Sequence, residues 1–257
     1  MINIKECKKY IINLEKRPDR LAKTLQNLND KNYYNITRFN AFEIKTIEEA
    51  KKYVVPESMY PIIKKQRTAH NQLSLGAVGC YLSHLEIYKK IISGNDDYAI
   101  IFEDDTLPSL DIDELQSRLT NIPNDWDIIL IGGIYKKKAY YNDNIYDVEK
   151  FILLHAYIMS KKCAKKIVDK ALPMNQQIDW WLSDLASEKK IKIYGLIDSR
   201  WKQNPIISDT NIQTPLLILE NFNNKNYINK KKMYNISLLT VLVLFFILVS
   251  YILFVYF

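Results

Sequence analysis

Cysteine is scarce in this chain of 257 residues, and its three cysteines lie far apart. Cys7, Cys80 and Cys163 form no CxxC pair, the spacing typical of zinc sites and redox motifs. The pattern argues against a zinc site or a disulfide framework, suits a reducing compartment, and predicts that the cysteines pack in the core. The amino terminus also lacks the apolar region of a signal peptide, because Lys and Glu interrupt residues 1–20. We therefore expect no secretory entry.

Positive charge exceeds negative charge by seven, but the lysines do not follow one helix face. They gather at residues 136–138 and 221–235, which disfavours a nucleic-acid partner. We expect the segment 221–235 to be a solvated linker whose basic residues face anionic lipid headgroups.

The segment 236–257 has 22 residues without a charge, glycine or proline. As a helix it would extend about 33 Å, which matches a bilayer core of about 30 Å. The sequence thus predicts a domain at 1–220, a basic linker at 221–235, and a single-pass carboxyl-terminal membrane helix at 236–257. Because lysines are retained on the cytoplasmic side, the domain is expected to face the cytosol.

Strand-like and helix-like segments alternate through the rest of the chain. Apolar runs predict strands at 10–14, 36–41, 98–102, 127–131 and 190–197. Helical spacing and capping residues predict helices that begin near Pro18, Thr46, Gly76, Asp111, Ser160 and Ile178. This alternation predicts an α/β fold in which helices cover a sheet. Residues 135–148 are polar and rich in tyrosine, and are expected to form an exposed excursion, while 54–75 are expected to form a functional loop.

Three adjacent carboxylates follow one of the predicted strands. Residues 99–107 read AIIFEDDTL, so that an apolar run stops at Glu103, Asp104 and Asp105. Ligands of open α/β sheets bind beyond the carboxyl ends of strands, and hard divalent cations are held by carboxylates. The pattern predicts a metal and nucleotide site, with a solvated acidic turn as the alternative.

Other candidate residues lie on either side of this strand. Arg17 and Arg20 precede or open a helix, where an anion would bind, although ordinary surface arginines have the same spacing. Gly76 and Gly79 permit close approach of a phosphate, but tight helix packing explains them equally well. His84, on the same helix, is expected to be a half-buried histidine with its hydrogen bonds satisfied.

Two later stretches carry further polar residues. Asp179 opens a predicted helix, where the helix dipole alone would favour an acid. The polar segment 200–214 contains Ser208 and Asp209, and suits an active-site flap as well as an ordinary loop.

Several blocks, taken in order, resemble glycosyltransferase family 25, the lipopolysaccharide-type and procollagen-type sugar transferases. They are INLEKRPDR at 12–20, GAVGCYLSHLEIYKKI at 76–91, IFEDDTLPS at 101–109, HAYIMSKKCAKKI at 155–167, QIDWWLSD at 177–184 and SDT at 208–210. The resemblance covers roughly residues 9–211, and ordered blocks are more specific than any single motif.

The resemblance implies a GT-A-like domain that binds a nucleotide-diphosphate sugar, built on a mixed, mainly parallel sheet layered by helices. It implies inverting transfer of a hexose, galactose or glucose, from a donor such as UDP-hexose to a glycan, lipid-linked or protein acceptor. A divalent cation, manganese or alternatively magnesium, would be held by Glu103 and Asp105. Asp104, between them, would contact the sugar or ribose.

The resemblance also implies roles for residues that match family blocks. Contacts with the donor are expected from Asn13, Arg17, Arg20, Gly76, Gly79, Ser83, His84, His155, Ser208 and Asp209. Catalytic roles are expected for Asp179, Glu103 and Asp104, with Asp179 as the general base and Asp184 or Glu103 as alternatives. Two other interpretations stay open: a catalytically inactive, membrane-tethered scaffold module, and a metal-dependent phosphohydrolase.

Overall fold

The computed structural model describes residues 2–65, 69, 71–197 and 201–203. The predicted linker at 221–235, the predicted membrane helix at 236–257, and Ser208 and Asp209 lie outside these residues. Within the described ranges, no helix has both the length and the apolar character needed to cross a membrane.

Strands and helices alternate through the described part of the chain. Its strands are β1 (Lys8–Asn13), β2 (Ile36–Asn40), β3 (Tyr98–Glu103), β4 (Thr106–Leu107), β5 (Ile128–Leu130), β6 (Ile134–Tyr140), β7 (Ile145–Ile152), β8 (Ala156–Ser160), β9 (Ile193–Leu196) and β10 (Lys202–Gln203). Its helices are α1 (Pro18–Asn29), α2 (Ile47–Lys51), α3 (Tyr60–Lys64), α4 (Leu75–Ser93), α5 (Ile112–Arg118), α6 (Lys161–Ile167) and α7 (Ile178–Ser187). Short 3-10 turns occupy Pro56–Ser58 and Val168–Lys170. The predicted α/β class is confirmed.

Local capping chemistry sets the starts of two helices. At α2 the Thr46 hydroxyl accepts a hydrogen bond from the Glu49 N–H, and the Glu49 carboxylate accepts one from the Thr46 N–H. At α6 the Ser160 hydroxyl accepts from the Cys163 N–H at 3.0 Å. These bonds satisfy amide groups that have no partner within the helix, so both predicted starts are confirmed.

Eight of the described strands form one mixed sheet, in the order β2-β1-β3-β8-β5-β9-β7-β6. β1 pairs in parallel with β2 and β3, and β5 with β9. The other neighbouring pairs, β3–β8, β5–β8, β6–β7 and β7–β9, are antiparallel. The prediction of a mixed sheet is confirmed. The prediction that the sheet is mainly parallel is wrong, because β8 runs antiparallel to its neighbours β3 and β5, and β6 and β7 form an antiparallel hairpin.

That hairpin corrects the prediction of an exposed excursion at residues 135–148. β7 joins the sheet by pairing with β9, with Ile145 opposite Leu196 and Asp147 opposite Tyr194. Ile145 and Val148 are buried. A sheet edge with one solvated face carries polar residues beside apolar ones, so overall polarity was a poor guide to this segment.

Both faces of the central strands are covered. On β3, Ala99 and Ile101 pack in the cluster that includes residues of α4, α6 and α7. Ile100 and Phe102 pack in the opposite cluster, with α5 and the amino-terminal segment. Successive side chains of a strand point to opposite faces, so a strand covered twice requires an unbroken apolar run.

The apolar run of β3 stops at the carboxyl end of that strand. Ile12 of β1 pairs with Glu103, and Phe102 pairs with Ala156 at the start of the antiparallel β8. Asn13, Glu103 and the residue before β8 therefore meet at the carboxyl ends of β1 and β3, where the candidate site is built.

Candidate functional site

Side chains from β1 and α1 hold the acidic turn, which we define as Glu103, Asp104 and Asp105. Asn13 Nδ2 donates to Asp104 Oδ2 at 2.7 Å, and the Thr24 hydroxyl donates to the Asp104 main-chain oxygen at 2.6 Å. Asn13 and Thr24 are themselves almost fully buried. The turn is therefore fixed by the protein before any ligand arrives.

Arg20 lies between the two aspartates of the acidic turn. Its Nη2 is 2.7 Å from Asp104 Oδ1 and 3.1 Å from Asp105 Oδ2, and all three side chains are at most 12% exposed. Buried carboxylates require a counter-charge of this kind. Both oxygens of Asp104 are thus engaged by protein groups, and the expected donor contacts of Asp104 and Arg20 stay predictions.

Asp105 has the chemistry of a metal ligand. Its Oδ1 is buried and has no hydrogen-bond partner among the described residues. Burial and the negative charge of Glu103 raise the pKa of the Asp105 carboxyl to about 8, although Arg20 opposes the shift. A buried oxygen without a donor is compensated by a proton or by a hard cation. The acidic turn therefore fits the divalent cation implied by the resemblance.

Glu103 turns toward helix α4. Its Oε1 is 3.2 Å from His84 Nε2, and His84 Nδ1 is 2.8 Å from the Tyr157 hydroxyl, which donates to the Tyr88 hydroxyl at 3.0 Å. The prediction that the hydrogen bonds of His84 are satisfied is confirmed, but the residue is fully buried and not half-buried, because α4 packs directly on the sheet. Burial opposes ionisation of Glu103, but the hydrogen bond and positive charge of His84 outweigh it and lower the Glu103 pKa.

His155 contributes to the site through its main chain. Its carbonyl accepts hydrogen bonds from the Glu103 N–H at 2.9 Å and the Thr106 hydroxyl at 2.5 Å. Its buried ring packs on Gly132 so closely that a Cβ there would collide with Nε2, and burial lowers the His155 pKa. Neither ring nitrogen has a hydrogen-bond partner in the described part of the chain. His155 therefore positions the acidic turn.

The first turn of α7 brings Asp179 into the same electrostatic environment. Asp179 Oδ2 accepts from the Leu153 N–H at 2.9 Å, and Oδ1 accepts from the Trp180 N–H at 2.8 Å. Burial and the nearby negative charge of Glu103 raise the Asp179 pKa, while these hydrogen bonds oppose the shift. An oriented carboxylate with a raised pKa is suited to general-base catalysis.

The start of α4 is packed against the segment that follows β2. A Cβ on Gly79 would collide with the main-chain oxygen of Phe42. The Ser83 hydroxyl donates to the Gly79 carbonyl at 2.7 Å and accepts from the Phe42 N–H at 2.9 Å. The helix-packing interpretation accounts for Gly79, and Gly76 lies in the first turn of the same helix. Donor contacts of Gly76, Gly79 and Ser83 stay predictions.

The arginines at the rim of the site differ in exposure from Arg20. Arg17 is 21% exposed and pairs with Asp19, with Nη2 3.0 Å from Oδ2. Arg38, which the sequence did not single out, is exposed on β2 and donates from Nε to Asn13 Oδ1 at 3.1 Å. Only the parallel pairing of β1 with β2 places it there. Thr24 was also missed, although it lies one helical turn after Arg20.

Cys80 packs against the core, as predicted, but its setting differs from that of the other two cysteines. Cys7 and Cys163 are buried, as expected. Cys80 is half-buried, and one donor atom each from Cys80, His84 and Glu103 lie within 4.8 Å of one another. The spacing of Cys80 and His84 on one helix face was a usable signal, but Glu103 joins them only through the fold.

A family model described as Glycosyltransferase family 25 (LPS biosynthesis protein) matches residues 6–146, more than half of the chain. The chain belongs to glycosyltransferase family 25. The resemblance found in the ordered blocks is thus confirmed. The match includes the acidic turn and α4 but ends before His155 and Asp179, so it does not test the roles of those two residues.

Two mosquito proteins named "Glycosyltransferase 25 family member" are similar to this family 25 chain. The one from Aedes aegypti is 26% identical over 194 residues, which cover 66% of this chain and 30% of that protein. The one from Anopheles gambiae is 30% identical over 101 residues, 37% of this chain and 16% of that protein. The chain spans less than a third of the length of these curated relatives.

Similarity to solved structures is weaker. An apo UDP-glucose pyrophosphorylase gives a TM-score of 0.42 at 11% identity, covering 77% of this chain and 92% of that one. The galactosyltransferase LgtC with donor and acceptor sugar analogues gives 0.38 at 11% identity, covering 72% of each chain. Likenesses at this level do not bear on function.

Proposed function

We propose that this family 25 member is a hexosyltransferase. It would transfer galactose or glucose from a nucleotide-diphosphate sugar, such as UDP-hexose, to a glycan, lipid-linked or protein acceptor with inversion at the anomeric carbon. The observation that carries the proposal is geometric: the Leu153 N–H binds the Asp179 carboxylate, and two residues along the chain the His155 carbonyl binds the Glu103 N–H of the acidic turn. Family membership supports the reaction class.

Glu103 and Asp105 would hold the divalent cation, manganese or magnesium. When bound, such an ion neutralises negative charge on a departing diphosphate. The unpartnered Oδ1 of Asp105 and the ionised state favoured for Glu103 suit this role. Arg20 and Asn13 keep the intervening Asp104 in place, so that the two ligands flank a fixed residue.

Asp179 would act as the general base in a single displacement. Its carboxylate takes the proton of the acceptor hydroxyl while that oxygen attacks the anomeric carbon. The new glycosidic bond forms as the bond to the diphosphate breaks, and the proton later passes from Asp179 to solvent. The N–H groups of Leu153 and Trp180 orient the carboxylate for this transfer.

Positive charge at the rim would receive the nucleotide phosphates. Arg17 is partly exposed, and Arg38 is exposed beside Asn13. A guanidinium can bind a phosphate through two parallel hydrogen bonds, and neither arginine is buried as Arg20 is. These two arginines are therefore better placed than Arg20 for donor binding.

Transfer assays with the full chain, nucleotide sugars and Mn²⁺ test this assignment. In Asp179→Asn we expect kcat to fall by about 10²–10⁴-fold, with donor affinity unchanged, because only proton removal is lost. Asp169→Asn, a substitution at an exposed acid, is the matched control.

Four results would count against the proposal. A wild-type rate in Asp179→Asn would remove Asp179 as the base, and a selective loss in Asp184→Asn would assign that role to Asp184. Binding of UDP without turnover by the wild type would favour the inactive scaffold interpretation. Phosphate release that does not depend on an acceptor would favour the phosphohydrolase interpretation.

Membrane attachment through residues 236–257 is a separate part of the proposal, together with a domain that faces the cytosol. A tether would raise the effective concentration of a lipid-linked acceptor near the site. We expect the full chain to stay in membranes under alkaline extraction, and a chain without 236–257 to be released. Release of the full chain would contradict the anchor.

A further inference from the structure

Cys80, His84 and Glu103 bring three different donor atoms together. Cys80 and His84 lie one turn apart on α4, so their side chains share a face, and Glu103 ends β3 opposite them. One donor atom from each residue lies within 4.8 Å of the other two. Thiol, imidazole and carboxylate are the ligand types from which zinc sites are built.

The spacing is close to that of a tetrahedral ion. With zinc–sulfur bonds of about 2.3 Å and zinc–nitrogen or zinc–oxygen bonds of about 2.0–2.1 Å, ligand atoms lie roughly 3.3–3.7 Å apart. His84 Nε2 and Glu103 Oε1 are already 3.2 Å apart. Even a pair at the 4.8 Å limit would need to close by only about 1 Å to reach that range.

His84 is held in the orientation of a metal ligand. Its Nδ1 is 2.8 Å from the Tyr157 hydroxyl, which in turn donates to the Tyr88 hydroxyl. A hydrogen bond at one ring nitrogen fixes the ring and leaves the other nitrogen for a metal, as in most histidine ligands. A cation between Nε2 and Glu103 would therefore bind a ring that is already oriented.

Cys80 offers a half-buried thiol beside the imidazole and the carboxylate, so that all three groups can reach one ion. Binding of a divalent cation displaces the thiol proton to solvent, which leaves a coordinated thiolate.

We propose that Cys80, His84 and Glu103 form a second metal site, selective for a borderline or soft divalent cation such as zinc, with water as the fourth ligand. The thiolate separates it from the acidic turn, whose oxygen donors suit manganese or magnesium. Glu103 belongs to both donor sets. If the proposed transferase function holds, zinc draws Glu103 away from the acidic turn and inhibits transfer. This consequence rests on the transferase function, whereas the metal site itself does not.

Cobalt is a suitable optical probe, because a thiolate bound to Co²⁺ gives a charge-transfer band in the near ultraviolet. We expect this band, with tetrahedral visible bands, when Co²⁺ is added to the metal-free full chain, and expect zinc to displace it. Cys80→Ser should abolish the thiolate band, whereas Cys7→Ser, a matched change at a cysteine in the opposite core cluster, should keep it. Tyr157→Phe should weaken cobalt binding by about 10–100-fold, because it removes the orienting bond.

A measurement on the unsubstituted chain guards against misfolding of a variant. Stoichiometric zinc should slow alkylation of Cys80, followed by peptide mass, and leave alkylation of Cys7 unchanged. Absence of the thiolate band, its persistence in Cys80→Ser, or zinc-independent alkylation of Cys80 would overturn the proposal. None of these readouts needs a nucleotide sugar, so a failed transfer assay with intact cobalt spectra would refute the transferase function and leave the metal site standing.

Discussion

Replacing Arg20 by methionine tests whether the acidic turn depends on one buried guanidinium. The substitution keeps much of the aliphatic length but removes the charge shared by Asp104 and Asp105. Removing one partner from a buried ion pair costs about 3–5 kcal/mol of unfolding free energy, because the other charge stays buried and unpaired. For a domain of this size, that loss corresponds to a fall in Tm of roughly 6–20 °C.

The deficit should depend on pH in a defined direction. Without Arg20 the carboxyls of Asp104 and Asp105 have still higher pKa values in the folded state than in the unfolded state. Groups with a raised folded pKa contribute stability below the unfolded pKa, and that contribution is lost as pH rises through the folded pKa. Arg20→Met should therefore lie closest to the wild type in acid and furthest from it at neutral pH.

Urea unfolding of the full chain, followed by circular dichroism, measures this loss. Lys51→Met is the matched control, because Lys51 pairs with Glu48 on the surface, with side chains 51% and 78% exposed. A surface pair of this kind contributes about 0–1 kcal/mol. The control should therefore stay close to the wild type.

A double-mutant cycle identifies the partner of Arg20. Asp104 is the acid to combine with Arg20→Met, because its Oδ1 lies 2.7 Å from Arg20 Nη2 and Asp105 Oδ2 lies 3.1 Å away. Asp104→Asn should recover part of the lost stability, with a coupling of about 0.5–3 kcal/mol. A loss below about 1 kcal/mol in Arg20→Met, or additive effects in the cycle, would refute the role of Arg20.

Two further predictions concern α4 and the proposed base. Gly79→Ala should destabilise the fold by about 1–3 kcal/mol despite the helix propensity of alanine, because the new Cβ collides with the Phe42 carbonyl. The control Gly94→Ala, whose Cβ would lie 3.1 Å from the nearest atom, should cost about 1 kcal/mol or less. Equal losses of unfolding free energy in the two variants would contradict this prediction. In the pH profile of kcat/KM, the midpoint of the fall on the acid side should lie above the ordinary aspartate pKa of about 3.9, because the Asp179 pKa is raised. This fall should vanish in Asp179→Asn. An unchanged profile in that variant would contradict the assignment of Asp179 as the base.

Local chemistry explains why several elements could be predicted from the sequence. Thr46 and Ser160 cap helices through contacts within three residues of the chain, so the sequence contains the whole interaction. The strand before Glu103 is an unbroken apolar run, which is what coverage on both faces requires. The end of that strand, and with it the acidic turn, could be located for the same reason.

Contacts between distant segments were harder to anticipate. Arg20 was predicted to bind an anion of a ligand, but α1 packs so that this arginine faces Asp104 and Asp105. Cys80 was predicted to pack in the core, and it does pack against it, but the sequence does not reveal that Glu103 lies beside Cys80 and His84. The position of β8 between β3 and β5 likewise depends on strand pairing that spans the whole sheet.

The central claim is tested most directly by a comparison of sugar transfer between the full chain and Asp105→Asn. Product mass is measured over a panel of nucleotide sugars with Mn²⁺. We predict that the wild type adds one hexose to an acceptor and releases nucleoside diphosphate. The rate in Asp105→Asn should fall roughly a hundredfold or more, because even outer partners of a metal ligand cost about 10–100-fold when removed. Neither transfer nor diphosphate release with any donor, or equal rates for the two proteins, would contradict the account.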